Sequence, residues 1–116
     1  MKNRKVKVIV YGSLKSGFFN DKLITYNKNN KYISACTIPG FTLYTNNGAY
    51  PYAVRDESGK IRGEVYELTE QTYMQIYYME YGAGYKEITL DNDRRMFIYN
   101  NIVPNSLLVG EEWKLS

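Results

Sequence analysis

The chain contains no histidine, so any proton transfer it performs falls to carboxylates, lysine, tyrosine or water. Ser–His and Cys–His nucleophilic mechanisms are excluded on the same ground, and a transition-metal site is not expected. Among the acids, Glu80 is the one whose neighbours alter its chemistry. It stands between Met79 and Tyr81, just ahead of Gly82-Ala83-Gly84, at the end of a predicted helix. A carboxylate there faces the negative end of the helix dipole, and its apolar neighbours strip it of water. Both effects raise its pKa and suit it to carrying protons near neutral pH. The plain alternative is an exposed glutamate on a last helical turn. Asp56, Glu57, Asp91 and Asp93 fall in predicted turns, where acids are common. Glu64 follows Gly63 in a strand and is expected to face away from a pocket; Glu111 and Glu112 lie near the tail. No second acid is singled out, so nothing indicates paired-carboxylate glycoside chemistry.

The second candidate feature is a loop. Val6 to Tyr11 alternates in the manner of a strand rich in β-branched residues, and the run breaks at Gly12-Ser13. Small residues let the backbone turn sharply and approach a ligand. A buried strand that empties into such a loop can aim its N–H groups at a pocket; it can equally be a strand and a turn. Gly12 and Gly17 have the spacing of the two glycines of a phosphate-binding loop. That loop also needs Lys and then Ser or Thr after the second glycine, and Phe18-Phe19 stands there instead.

These residues need elements to position them. A short helix is predicted over Asn20 to Tyr26, with Asn20 as its cap and Asp21 in its first turn. Tyr26 to Lys31 reads as a polar connection. Strands are predicted over Tyr32 to Ile38 and Phe41 to Tyr44, divided by a Pro39-Gly40 turn. Asn46-Asn47-Gly48 closes a hairpin onto Tyr50 to Arg55, where Pro51 suggests an edge or irregular strand. After a turn over Asp56 to Lys60, Ile61 to Leu68 alternates again. Thr69-Glu70-Gln71-Thr72 then opens a helix, with Leu68 available as a staple and Tyr73, Ile76, Tyr77 and Glu80 at helical spacing. Gly82 and Gly84 end it. Tyr85 to Leu90 and Arg94 to Asn100 pair around Asp91-Asn92-Asp93, and the tail carries Trp113, expected to pack back on the core. Without βαβ alternation, this order predicts a mostly antiparallel α+β domain, barrel-like, with one or two helices.

Length and composition suit one domain over residues 1–116. The chain is 44% hydrophobic and 16% aromatic, enough for a packed core. Its 13 tyrosines are expected mostly as half-buried packing residues with a wet hydroxyl. The net charge of +3 is spread out apart from the cluster from Lys2 to Lys7, read as a solvated N-terminus. Nucleic acid is not expected as a partner. The single cysteine, Cys36, cannot form an intramolecular disulfide and is read as a small apolar residue. With no signal peptide or spanning segment, a soluble cytoplasmic protein without membrane partners is expected.

Tyr11-Gly12-Ser13-Leu14-Lys15 resembles the Tyr-Gly-Ser/Thr-Leu signature of the γ-glutamylcyclotransferase-like family, which includes γ-glutamylamine cyclotransferases and AIG2-like proteins. Further pieces follow in that family's order: Pro39-Gly40-Phe41, Tyr50-Pro51, Gly63-Glu64-Val65-Tyr66 and Met79-Glu80-Tyr81-Gly82. Tyr85-Lys86 stands where the family commonly has Tyr-Arg. Ile76-Tyr77 replaces its usual Leu-Asp, and Ala83-Gly84 alters the approach to Tyr85. The resemblance implies the family's barrel-like fold, and a reaction without cofactor in which a γ-glutamyl group closes to 5-oxoproline and releases an amine or amino acid. It implies Glu80 as general acid and base. It also implies Gly12, Ser13 and Leu14 as backbone donors to the substrate, with Tyr11 and Tyr85 shaping the pocket and Lys15 among the binding residues. The alternative is a non-catalytic protein that sequesters a small anion or nucleotide in the same pocket, using Lys15 and Lys86. The leaving amine and the oligomeric state are not given by these residues.

Overall fold

The computed structural model of the protein describes residues 5–12, 15, 22–91 and 93–114. Its six strands form one mixed sheet. They are β1 (Lys5–Val10), β2 (Lys31–Thr45), β3 (Pro51–Thr69), β4 (Lys86–Leu90), β5 (Arg94–Ile98) and β6 (Leu107–Gly110), in the spatial order β4-β5-β1-β3-β2-β6. The pair β1–β5 is parallel and every other pair is antiparallel. The expected α+β class and central position of the opening strand are therefore observed.

The alternation along β1 serves two buried faces. Val8 and Val10 point into a cluster with Ile24, Tyr66, Leu68, Tyr73, Ile76 and Phe97, beneath the helices α1 (Lys22–Thr25) and α2 (Glu70–Gly82). Ile9 joins Ile38, Phe41, Leu43, Ile61, Val65, Met96 and Ile98 on the other face. That second cluster draws its buried members from strands and from Tyr11 just past β1, so the sheet must curl over itself to exclude water from it. A backbone bond from Tyr99 N–H to Ala53 C=O (3.0 Å) ties the end of β5 to β3, although β1 lies between them in the ladder. Trp113 packs against this inner cluster, as expected of the tail.

Two departures from the predicted elements share one cause. The expected strands on either side of Pro39-Gly40 are a single strand, β2, and those on either side of Asp56–Lys60 are a single strand, β3. The pairing runs Pro39↔Lys60 and then Phe41↔Arg55, so Gly40 alone faces residues 56–59. Both turn signals are thus spent on one bulge inside a long ribbon. Gly40 adopts φ +93°, and the Asp56 carboxylate accepts from Ser58 N–H and from Thr42 Oγ1–H. Gly59 folds so closely over β2 that a Cβ there would lie 2.3 Å from the Phe41 carbonyl oxygen. The strand β6 carries no alternation in the sequence, because Leu107 and Leu108 are both exposed on a four-residue edge.

The helices are set by polar contacts at their ends. Thr69 caps α2 by accepting from Thr72 N–H (3.2 Å), and Leu68 and Tyr73 share a buried cluster at the staple positions. The side chain of Asn30 reaches both helices. It donates to Ile24 C=O (2.8 Å) and Thr72 Oγ1 (3.0 Å) and accepts from Thr69 N–H (2.8 Å). The predicted cap of α1, Asn20 and Asp21, lies outside the described residues.

Candidate active site

The site forms where β1 stops. Val10 pairs with Glu64, and beyond that point β3 residues Pro51–Arg55 pair with β2 alone among the described strands. The polar groups on the open side of β3 must be satisfied some other way. Tyr11 Oη–H donates to Phe97 C=O (2.5 Å) while its oxygen accepts from Ala53 N–H (3.1 Å), bridging β5 and β3 across the gap. Tyr85 Oη–H donates to Pro51 C=O (2.6 Å). Pro51 thus sits at a local edge of an interior strand, in keeping with its missing N–H.

Gly12 lies against Pro51. A Cβ at Gly12 would come within 2.9 Å of the Pro51 ring, so the position requires glycine on steric grounds. The chain then turns tightly, with Lys15 N–H bonded to Gly12 C=O (3.0 Å). Ser13 and Leu14, the expected backbone donors between them, lie outside the described residues.

The opening left by β1 is a cavity of about 490 Å³, a size suited to a small ligand. Tyr11 and Gly12 form one side, Pro51 and Tyr52 another, and Tyr85 and Tyr99 a third. Ile76, Met79 and Glu80 close it from α2, and Asn46, Asn47 and Tyr50 lie on the β2–β3 hairpin. The rings of Tyr85, Tyr99 and Tyr52 follow one another at centroid separations of 4.7 and 4.5 Å, giving a continuous aromatic wall.

Glu80 reaches the cavity from the last turn of α2. Burial pushes its carboxyl group from an ordinary 4.5 up to about 7. The expected direction is therefore observed, with desolvation as the cause. The hydroxyls of Tyr11, Tyr85 and Tyr99 are all held above their ordinary value, first by burial and then by neighbours that include Glu80. They are neutral at physiological pH, and Glu80 brings the one carboxyl group of the lining among the described residues. Its backbone also matters: Glu80 C=O accepts from Ala83 N–H (3.1 Å) and Tyr85 N–H (3.0 Å), closing the helix and fixing Tyr85 beside it.

Of the residues singled out in the sequence, Tyr11, Gly12, Glu80 and Tyr85 are brought to this cavity. Lys15 is not. Its side chain is buried in a separate cleft with Cys36, Arg62 and Glu64, where Nζ donates to Trp113 C=O (2.8 Å) and lies 3.9 Å from Glu112. It anchors the tail. Lys86 is exposed and donates to Asn100 (3.4 Å). Glu64 faces the Lys15 cleft, and burial pushes the Cys36 thiol up, away from a reactive thiolate. Tyr52 and Tyr99 were not singled out. Tyr99 follows β5 with nothing local to mark it, and only the curl of the sheet brings it to Ala53 on β3. No cluster of metal-ligating side chains occurs among the described residues, and no helix among them is long and apolar enough to cross a membrane.

Comparison with known proteins agrees with this geometry. Residues 8–114 match the family described as gamma-glutamyl cyclotransferase, AIG2-like. The chain is 35% identical over 106 residues to "Putative gamma-glutamylcyclotransferase MJ1514" of Methanocaldococcus jannaschii, covering 85% of each protein. It is 36% identical over 85 residues to "Putative gamma-glutamylcyclotransferase PH0828" of Pyrococcus horikoshii, covering 73% of this chain and 68% of that one. The crystal structure of PH0828 superposes with a TM-score of 0.74 over 90% of this chain and 86% of that one, at 27% identity in the superposition. An AIG2-like protein from mouse shares the fold at 20% identity, with a TM-score of 0.73 over 87% of this chain and 81% of that one. With the match spanning nearly the whole sheet and every element around the cavity, the chain belongs to the family of gamma-glutamyl cyclotransferase, AIG2-like proteins.

Proposed function

We propose that the protein is a γ-glutamyl cyclotransferase in which Glu80 carries the protons. The observation that supports this most is one carboxyl group among the described lining residues, poised near neutrality by burial, on the wall of an aromatic cavity. In the reaction the substrate's α-nitrogen attacks its own γ-carbonyl carbon. A new C–N bond closes the five-membered ring and the original amide C–N bond breaks. The α-ammonium gives up two of its three protons, the third staying on the ring nitrogen, and the leaving nitrogen takes up two to depart as an ammonium, so one residue that first accepts and then donates keeps the balance without oxidant or cofactor. Because attack is intramolecular, holding the glutamyl chain curled supplies much of the acceleration. The Gly12–Lys15 turn would hold the substrate carboxylate or the developing oxyanion with its backbone donors, and Tyr11 would fix the turn's starting point.

The sequestering alternative relies on Lys15 and Lys86, and neither lines the cavity. The test is release of 5-oxoproline from γ-glutamyl compounds, followed by mass spectrometry. Glu80→Gln keeps the shape of the side chain and removes the base. It is expected to fold and bind, with turnover lowered by about 10²–10⁴-fold. Parent-like turnover in the variant would remove Glu80 from the mechanism. Tight binding of a small anion by a parent protein with no turnover would favour the sequestering reading.

A further inference from the structure

We infer that Lys15 is a positioning residue: its buried ammonium fastens the turn after β1 to the tail, so that residues 111–113, outside the cavity, set how firmly the turn holds a substrate. This rests on the role given to the turn in the cyclotransferase reading above and adds the element that keeps the turn in place.

A turn that offers backbone donors to a ligand works only if its ends are fixed, because small displacements of a holding group cost affinity and rate. The first end is fixed by β1. Gly12 lies against the Pro51 ring, and Tyr11 bridges Phe97 and Ala53. The second end is Lys15. Its N–H closes the turn on Gly12 C=O, while its side chain lines the second cleft and not the cavity. Lysine is rarely buried, and this one is only 5% exposed. Its Nζ donates to Trp113 C=O (2.8 Å) and lies 3.9 Å from the Glu112 carboxylate, so both partners belong to the tail.

The tail is itself tied to the sheet, which makes it a firm support. Arg62 N–H on β3 donates to Glu111 C=O (2.7 Å), and the Arg62 guanidinium lies 3.8 Å from the Glu111 carboxylate. Trp113 packs against the inner cluster. Residues 111–113 thus join β3 and the core on one side to the turn on the other, and none of them lines the cavity. An exposed ion pair would be a weak fastening, screened by salt. A buried ammonium bonded to a carbonyl resists release, because parting them leaves polar groups short of partners.

The experiment approaches the fastening from both sides. Lys15→Met keeps most of the side chain and removes the ammonium. Trp113→Ala loosens the tail and leaves Lys15 in place. Glu112→Lys sets a like charge beside the ammonium at a part-exposed position, and it serves as the tail variant if Trp113→Ala does not fold. Amide hydrogen exchange at position 15, followed by NMR, reads the turn without any substrate. It should quicken at least about tenfold in the Lys15 variant and in the tail variant. For whichever γ-glutamyl compound the parent turns over, KM should rise about tenfold in each, with kcat within about threefold of the parent. Combining the Lys15 and tail variants should add little further, since both undo one contact. Unchanged exchange in Lys15→Met would overturn the inference, whatever the activity. A raised KM in Lys15→Met with parent-like KM in the tail variant would overturn it by showing that Lys15 acts on the substrate directly. Faster exchange with unchanged KM would overturn it by showing that the fastening has no bearing on binding. Faster exchange in a protein that releases no 5-oxoproline would support the fastening and remove the cyclotransferase reading.

Discussion

Replacing Glu80 by glutamine is expected to stabilise the protein at pH 8. The carboxyl group titrates near 7 in the fold against 4.5 when free of it, because burial penalises the charged form. Between those values the folded chain binds more protons than the unfolded chain. Stability therefore falls as pH rises through that window and levels off above about 7. The gap between 4.5 and about 7, at about 1.4 kcal/mol per pH unit, sets a ceiling of about 3 kcal/mol on the loss. Glutamine carries no charge and escapes it. Urea denaturation of parent and variant from pH 4.5 to 8.5 measures the difference directly, since every other titrating group is common to both. The stability difference should grow from its pH 4.5 value by up to about 3 kcal/mol at pH 8, equivalent to roughly 10 °C in thermal midpoint. A difference that does not vary with pH would refute desolvation as the cause, and with it the argument that the cavity tunes this acid. The same variant is the one expected to lose turnover, so stability and activity should move in opposite directions.

Other outcomes follow from the same geometry. In the parent, kcat/KM for whichever γ-glutamyl compound is turned over should rise about tenfold per pH unit below about 7 and flatten above it, and a profile without that limb would show that Glu80 need not be ionised. Gly12→Val must push the Pro51 ring aside and disturb the carbonyl that holds Tyr85. It should raise KM at least about tenfold with a smaller effect on thermal midpoint, and unchanged KM would count against the turn as a substrate holder. Asn30→Ala removes bonds to Ile24, Thr69 and Thr72 at once; chemical denaturation should show a loss of about 2–3 kcal/mol, and a loss below about 0.5 would mean that water replaces the side chain.

The site was legible where its chemistry is local. Glu80 is marked by its own neighbours on a helix end, and Gly12 by the break in an apolar run. Tyr85 entered through the family resemblance. Lys15 came with the same motif, and its side chain leaves the loop on the side of the tail. The β2–β3 ribbon was misread for a different reason. Pro39-Gly40 and Asp56–Gly59 have the chemistry of turns, and only their being opposite each other turns them into one bulge. Tyr52 and Tyr99 meet through the curl of the sheet, and no spacing along the chain encodes that meeting.

One residue, Glu80, holds the end of α2 with its carbonyl and faces the cavity with its carboxyl group. The hydrogen bonds that close the helix run to Ala83 and Tyr85, so the carboxyl group, the cap and a wall of the cavity are held by the same bonds. Fraying of that last turn would carry the carboxylate toward solvent, return its pKa toward that of a free glutamate and release Tyr85 from Pro51 in one step. A local opening at this helix terminus would cost less than global unfolding, and it would take the carboxyl group, the cap and Tyr85 out of place together. Substitutions at Gly82, Ala83 or Gly84 would act on activity through that opening without touching the substrate.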